Sequence, residues 1–252
     1  MELTWQTFAI VCPLVFLAGF IDSIAGGGGL ISLPAYYLAG LPAPLAAGTN
    51  KLSAGVGTIA STFRYIRGGK VLWRVGLLGA AGAIPGSWLG ALLLQAIPEA
   101  AVRTMMILAI PLVAAVVLRQ RSGISVRRVP VQWDLPMAAA IGFGIGFYDG
   151  LVGPGTGTFL ILMFTMALGM EAVMASGTAK VVNLTSNVAA LISLATTGNV
   201  LIALGLPAAV CGIAGNYVGS GLALKKGAKI IRPMFFVVLA LLLLRLVTDM
   251  IG

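Results

Sequence analysis

Of the 252 residues, 59% are hydrophobic and only 9% are charged, with a mean hydropathy of +1.05; soluble domains carry roughly 45–50% apolar and about 25% charged residues. This excludes a cytosolic enzyme, a secreted disulfide scaffold and a disordered chain. The apolar residues fall in long blocks instead of alternating, which excludes a porin-type barrel and leaves an all-α, polytopic membrane protein. The net charge of +9 belongs to loops facing anionic headgroups, not to a nucleic-acid surface.

In chain order, Met1-Glu2 lacks the basic start of a signal peptide, so the first apolar segment is expected to stay in the protein. About eight long hydrophobic segments follow: Trp5–Ile24, Asn50–Phe63, Val75–Ile97, Thr104–Leu118, Leu135–Val152, Ala172–Ala195, Val200–Leu224 and Pro233–Met250. Two shorter apolar pieces, Leu30–Leu38 and Thr158–Leu168, follow glycine-rich breaks. At about 1.5 Å per residue neither crosses a hydrocarbon core of about 30 Å, so each reads as a half-helix or re-entrant arm. Cys12 and Cys211 stand alone in apolar blocks and read as inert small hydrophobes. The sequence has no histidine, so imidazole metal sites and Ser-His triads are impossible, and neither a cofactor nor enzymatic activity is expected.

The polar stretch 119–133 divides the chain into a first transmembrane repeat, 1–118, and a second, 134–252. GFIDSIAGG (Gly19–Gly27) matches GFYDGLVGP (Gly146–Pro154), and AGTNK (Ala47–Lys51) matches SGTAK (Ser176–Lys180). GGKV (Gly68–Val71) matches TGNV (Thr197–Val200), PGSWLG (Pro85–Gly90) matches AGNYVG (Ala214–Gly219), and Arg103 matches Arg232. The offset drifts only from 127 to 129, the mark of an internal duplication. Charge gives the orientation. Arg64, Arg67, Lys70 and Arg74 follow the third element of the first half, whereas the equivalent turn, Thr197–Asn199, is uncharged. Lys225, Lys226, Lys229 and Arg232 face a counterpart turn that holds only Arg103. If the repeats are inverted, these bases and Arg119, Arg121, Arg127 and Arg128 of the linker share the cytoplasmic side and Arg103 alone lies opposite. Inversion requires an odd number of crossings per half: a re-entrant hairpin plus three spans, or five crossings of which one is short. Both termini are then extracytoplasmic. Inverted repeats are the signature of secondary transporters.

Within the apolar blocks the repeats leave two aspartates, Asp22 and Asp149, before the glycine breaks and two lysines, Lys51 and Lys180, after them. Ionisable groups cost roughly 2.5–3.5 kcal/mol at a helix centre and are functional candidates by default. The alternatives are snorkelling for the lysines and capping of the broken turns for the aspartates. A half-helix starting inside the membrane presents unpaired N–H groups and a positive dipole end, which suits an anion. Gly26, Gly27 and Gly28 in the first break, and Gly153, Gly155 and Thr156 in the second, let backbone approach such a ligand. Thr49, Asn50, Thr178, Asn183 and Asn187 could add neutral donors. The alternative for the breaks is close helix packing, a role that fits Gly79, Gly82, Gly86 and Gly90, and Gly212, Gly215 and Gly219, better.

GFIDSIAGGGGLISLP, GTNK and GFYDGLVGPGTGTF, in this order, resemble the sulfite exporter TauE/SafE family, also called the toluene-sulfonate uptake permease family, over about Gly19 to Val247. One departure is Ala179 in the second half where the first has Asn50. The resemblance implies an inner-membrane transporter of sulfite, a sulfonate or a related sulfur oxyanion. The site residues would then be Gly26, Gly27, Gly28, Thr49, Asn50, Lys51, Gly153, Gly155, Thr156, Thr178, Lys180 and Asn183, with Asp22 and Asp149 in coupling or structural roles. Access would alternate as one repeat rocks against the other. Coupling to a proton or cation, and a homodimer, are compatible with these residues, and the lipid bilayer is the other expected partner. An anion channel and a non-transporting assembly subunit are the rival readings.

Overall fold

The structure is a computed structural model and describes residues 3–98 and 130–231, with a few single positions beyond them. The linker, the blocks from Thr104 and Pro233 onward, Arg103 and Arg232 lie outside the described residues, apart from isolated positions. Eight helices are described: α1 (Trp5–Ala25), α2 (Gly29–Leu38), α3 (Ala43–Arg67), α4 (Trp73–Ala96), α5 (Asp134–Leu151), α6 (Thr156–Leu168), α7 (Ala172–Ala195) and α8 (Ile202–Lys226). Four of them, α1, α4, α7 and α8, are long and apolar enough to cross a membrane. Most boundaries fall within two residues of the hydropathy blocks. The exception is α3, which starts at Ala43 instead of Asn50. Its first two turns escape a hydropathy reading because Pro44 and Gly48 read as breakers there, while the buried face farther along carries Asn50, Lys51, Ser53, Thr58, Ser61 and Thr62.

Glycine contacts fix the relative directions of the helices. A Cβ added at Gly82, Gly86 or Gly90 of α4 would fall 2.1–2.3 Å from the carbonyl oxygens of Ala139, Phe143 and Phe147 in α5. Both series ascend together, so α4 and α5 run parallel at backbone contact, as small residues allow between helices in lipid. Gly215 and Gly219 of α8 meet the carbonyls of Phe16 and Phe20 of α1 in the same way. α3 runs parallel to α8, with Gly48 on Asn199 and Gly68 on Leu224. α4 runs parallel to α7, with Gly79 on Val182 and the Ser87 hydroxyl donating to the Ser186 carbonyl. α3 and α7, however, are antiparallel: Thr62 reaches the Lys180 carbonyl while Gly55 lies on Asn187. Thus α1, α3 and α8 point one way and α4, α5 and α7 the other, so corresponding helices of the two halves are opposed.

Because α1 and α3 run the same way, the chain must return between them, and α2 is that return. Its ten residues span about 15 Å, half a hydrocarbon core. Such a return fits either crossing scheme, the re-entrant hairpin or the short fifth crossing. The two breaks meet at the centre, where a Cβ at Gly26 would strike the Thr158 amide at 2.1 Å and one at Gly157 would lie 2.7 Å from the Gly26 Cα. Gly26 has φ +76° and Gly155 φ +87°, a backbone region natural to glycine. The buried carboxyl-terminal carbonyls of α1 are satisfied by hydroxyls from three helices: Tyr65 donates to Ser23, Ser176 to Ile24 and Thr158 to Ala25.

The ends of the molecule differ in charge. Gly68 lies against Leu224, Gly177 against the Lys70 carbonyl and Gly227 against Val173, and the Arg64 guanidinium stacks on Tyr217 at 4.1 Å. Arg64, Arg67, Lys70, Arg74, Lys225, Lys226 and Lys229 therefore share one end. The described turns at the other end, 39–42, 96–98 and 196–201, hold no Lys, Arg, Asp or Glu.

The glycine seams predict a position-specific effect. Gly86→Ala forces α4 and α5 apart and is expected to destabilise by about 1–3 kcal/mol. Gly76→Ala, whose Cβ meets only side-chain carbons at 3.6–3.7 Å, is expected to be neutral or stabilising by up to about 1 kcal/mol. Thermal unfolding in detergent compares the two.

Candidate functional site

The site forms where the breaks meet the α3–α7 crossing. GTNK occupies the second and third turns of α3, which places Lys51 well inside the helix, and SGTAK puts Lys180 in the equivalent part of α7. Neither lysine snorkels. Lys51 Nζ lies 2.7 Å from Asp149 Oδ1, and Lys180 Nζ lies 2.5 Å from Asp22 Oδ2. The pairs are crossed, each joining a lysine of one half to an aspartate of the other.

The two pairs are not equivalent. Both oxygens of Asp149 are held: Oδ1 accepts from Lys51 and shares the Thr156 hydroxyl, at 2.8 Å, with the Gly153 carbonyl at 2.7 Å, and Oδ2 accepts from the Ser186 hydroxyl at 2.5 Å. Asp22 accepts from Lys180 and, at 3.3 Å, from the Gly28 amide. Backbone capping of the broken turn is therefore present for Asp22, through the Gly28 amide, whereas Asp149 is held by side chains alone. The Asp149 side chain is 4% exposed and that of Asp22 16%.

A cavity of about 50 Å³ opens between these elements. At roughly 10–15 Å³ per water position, it matches a few waters or one small polyatomic ion. Asp22, Lys51, Asp149, Asn50 and Asn183 line it, together with Gly27, Gly28, Gly153, Gly155 and Thr156. Four of the expected residues do not. Gly26 is consumed by the contact between the breaks. Lys180 is 1% exposed behind Asp22. Thr49 accepts from the Leu201 amide and Thr178 from the Leu72 amide, each capping a helix of the opposite half. Conversely, Ser53, Gly212 and Asn216 line the cavity although sequence reasoning gave them no place in the site. The legible signal was the alignment of AGNYVG with PGSWLG, which sets Asn216 opposite Ser87 as a polar position within an apolar helix. Two buried amide oxygens in the cavity wall, Asn50 Oδ1 and Asn216 Oδ1, have no hydrogen-bond partner. Cys12 and Cys211 are both free thiols of intermediate burial. Among the described residues no group of three His, Cys, Asp or Glu could hold a metal ion.

A duplicated helical bundle with paired half-helices around a central polar cavity has the architecture of a membrane transporter. The family model for sulfite exporter TauE/SafE matches residues 11–246, and the chain belongs to that family of membrane transporters. It is 37% identical to "Probable membrane transporter protein YfcA" of Escherichia coli K12, over 99% of this chain and 96% of that protein. It is also 37% identical to "Probable membrane transporter protein ORF9" of a Sinorhizobium species, over 98% and 95% of the two chains. A "Probable membrane transporter protein" of Haemophilus influenzae is 34% identical over 99% and 98%. No solved structure matches.

The crossed pairs give a stability test. Lys51→Met or Asp149→Leu alone strands a buried charge and is expected to cost about 3–5 kcal/mol. The double variant strands none and is expected to recover most of that loss. Unfolding midpoints in detergent measure it, and additive losses would contradict the pairing.

Proposed function

We propose that the protein is a secondary transporter that carries a small oxyanion, in the class of sulfite, a sulfonate or a related sulfur anion, through the central cavity by alternating access about the α3–α7 crossing. One observation carries the reading: the first turns of α2 and α6 converge on a cavity that also holds the Lys51 ammonium and two unpartnered amide oxygens. The positive ends of the half-helices and a cation favour an anion. The Asn50 and Asn216 oxygens are buried polar atoms that need a ligand or water; the Asn50 amide can rotate to present its NH2, whereas the Asn216 NH2 already donates to the Gly212 carbonyl. The cavity volume favours sulfite-sized ions over an aryl sulfonate in this conformation. The segregation of basic residues to one end supports an inner-membrane orientation with that end cytoplasmic and both termini outside.

Flux into proteoliposomes with sulfite, thiosulfate, sulfoacetate, sulfate and chloride tests the reading. Saturable movement of a sulfur oxyanion is expected, and Lys51→Ala and Lys180→Ala are each expected to lower it at least about tenfold. Normal rates and affinities in both variants would overturn the lysine assignment, and single-channel currents far above carrier rates would replace the transporter with a channel. Terminal reporters check the orientation separately, and a cytoplasmic carboxyl terminus would refute it.

A further inference from the structure

We propose that Asp22 is the proton site of the transport cycle: it accepts one proton from the aqueous phase as an anion enters the cavity and returns it to water on the other side as the anion leaves. The Asp149–Lys51 pair stays closed throughout. This rests on the oxyanion reading above.

Charge balance carries the argument. Asp22 with Lys180 and Asp149 with Lys51 make the buried cluster formally neutral. An added anion would leave one uncompensated negative charge in a cavity of about 50 Å³, with room for little screening water. Uncompensated buried charge is strongly disfavoured, and the group responds by neutralising. Of the two carboxylates in the cavity wall, one can be neutralised with little disruption. Protonating Asp149 would disturb three side-chain donors, from Lys51, Thr156 and Ser186. Protonating Asp22 perturbs only the Lys180 bridge and one 3.3 Å contact from the Gly28 amide, and its side chain is the more exposed of the two. The neutral acid can then donate a hydrogen bond to the anion, which replaces Asp22 as the counter-charge of the cluster.

The groups facing Asp22 are few. α7 presents Lys180, α3 presents Tyr65, and Lys51 and Asp149 stand across the cavity. The neighbouring stretches of α2, α6 and α8 contribute glycine amides, Gly157 and Asn216, with no charged side chain. A monovalent anion moving with one proton carries no net charge. Its accumulation then follows the pH gradient, about tenfold per pH unit, and is indifferent to membrane potential.

The test loads proteoliposomes with a pH-reporting dye, clamps the potential with potassium and valinomycin, and follows net uptake of each panel anion. In the wild-type protein, monovalent uptake is expected to acidify the lumen and to track the pH gradient. Binding, read as anion-induced thermal stabilisation in detergent, is expected to weaken from pH 5.5 to pH 8. Asp22→Asn is expected to bind independently of pH, at least about tenfold tighter than wild type at pH 8, and to lose gradient-driven accumulation. Asp149→Asn is expected to keep the pH slope in whatever binding survives. Anion uptake without proton movement, a pH slope persisting in Asp22→Asn, or loss of anion binding in Asp22→Asn at both pH values would overturn the proposal. If wild type exchanges none of the panel anions, the oxyanion reading itself fails, and that outcome is distinct from exchange without protons.

Discussion

Four charges buried in one apolar bundle must cancel locally, and that constraint shapes the centre of this molecule. Each lysine alone would be expensive in the membrane, and each aspartate alone as much so. Crossing the pairs, Asp22 with Lys180 and Lys51 with Asp149, neutralises both while tying each half to the other. Each half carries one aspartate and one lysine, and each of these finds its partner in the other half. The bridges also hold the ends of α1 and α5 against α7 and α3, which keeps the glycine breaks facing each other and the cavity between them. Replacement of a buried ion pair by apolar residues is often no less stable, so packing alone does not explain why four charges sit here.

The symmetry is real in the backbone and broken in the side chains. Thr49 and Thr178 make the same cap on opposite halves. Asn50 corresponds to Ala179, Asn216 to Ser87, and Ser53 to Val182. The result is a cavity on the side of α1, α3 and α8, while the corresponding region beside α4 is closed by the Ser87 and Ser186 hydroxyls. The two sequence halves run through opposed helices, and divergence at a few polar positions sets the lining of the cavity.

How much of this the sequence discloses follows from range. Apolar block lengths and glycine breaks are local, and they locate most helices and both arms. The opposition of the halves is legible because the charges of their turns are. The glycines at 82, 86 and 90 reveal a close seam through their spacing, though not which helix lies behind it. Asp22 is 158 residues from Lys180, and no local pattern marks that pairing; Lys51 near the start of a hydropathy block reads equally well as an interfacial lysine. The first turns of α3 are hidden because Pro44 and Gly48 read as loop punctuation. The three hydroxyls that finish α1 are hidden as well, since only tertiary approach brings them together.

The glycine seams carry a mechanical consequence. Glycine-lined seams join α1 to α8 and α4 to α5 along several turns, and each of these couples takes one member from each half of the chain. Because their carbonyls and glycine Cα atoms touch without intervening side chains, prising either couple open would sacrifice its entire contact. Any motion that keeps these contacts intact would carry two chimeric beams, one built on α1 and α8 and one on α4 and α5, and would not separate one sequence half from the other.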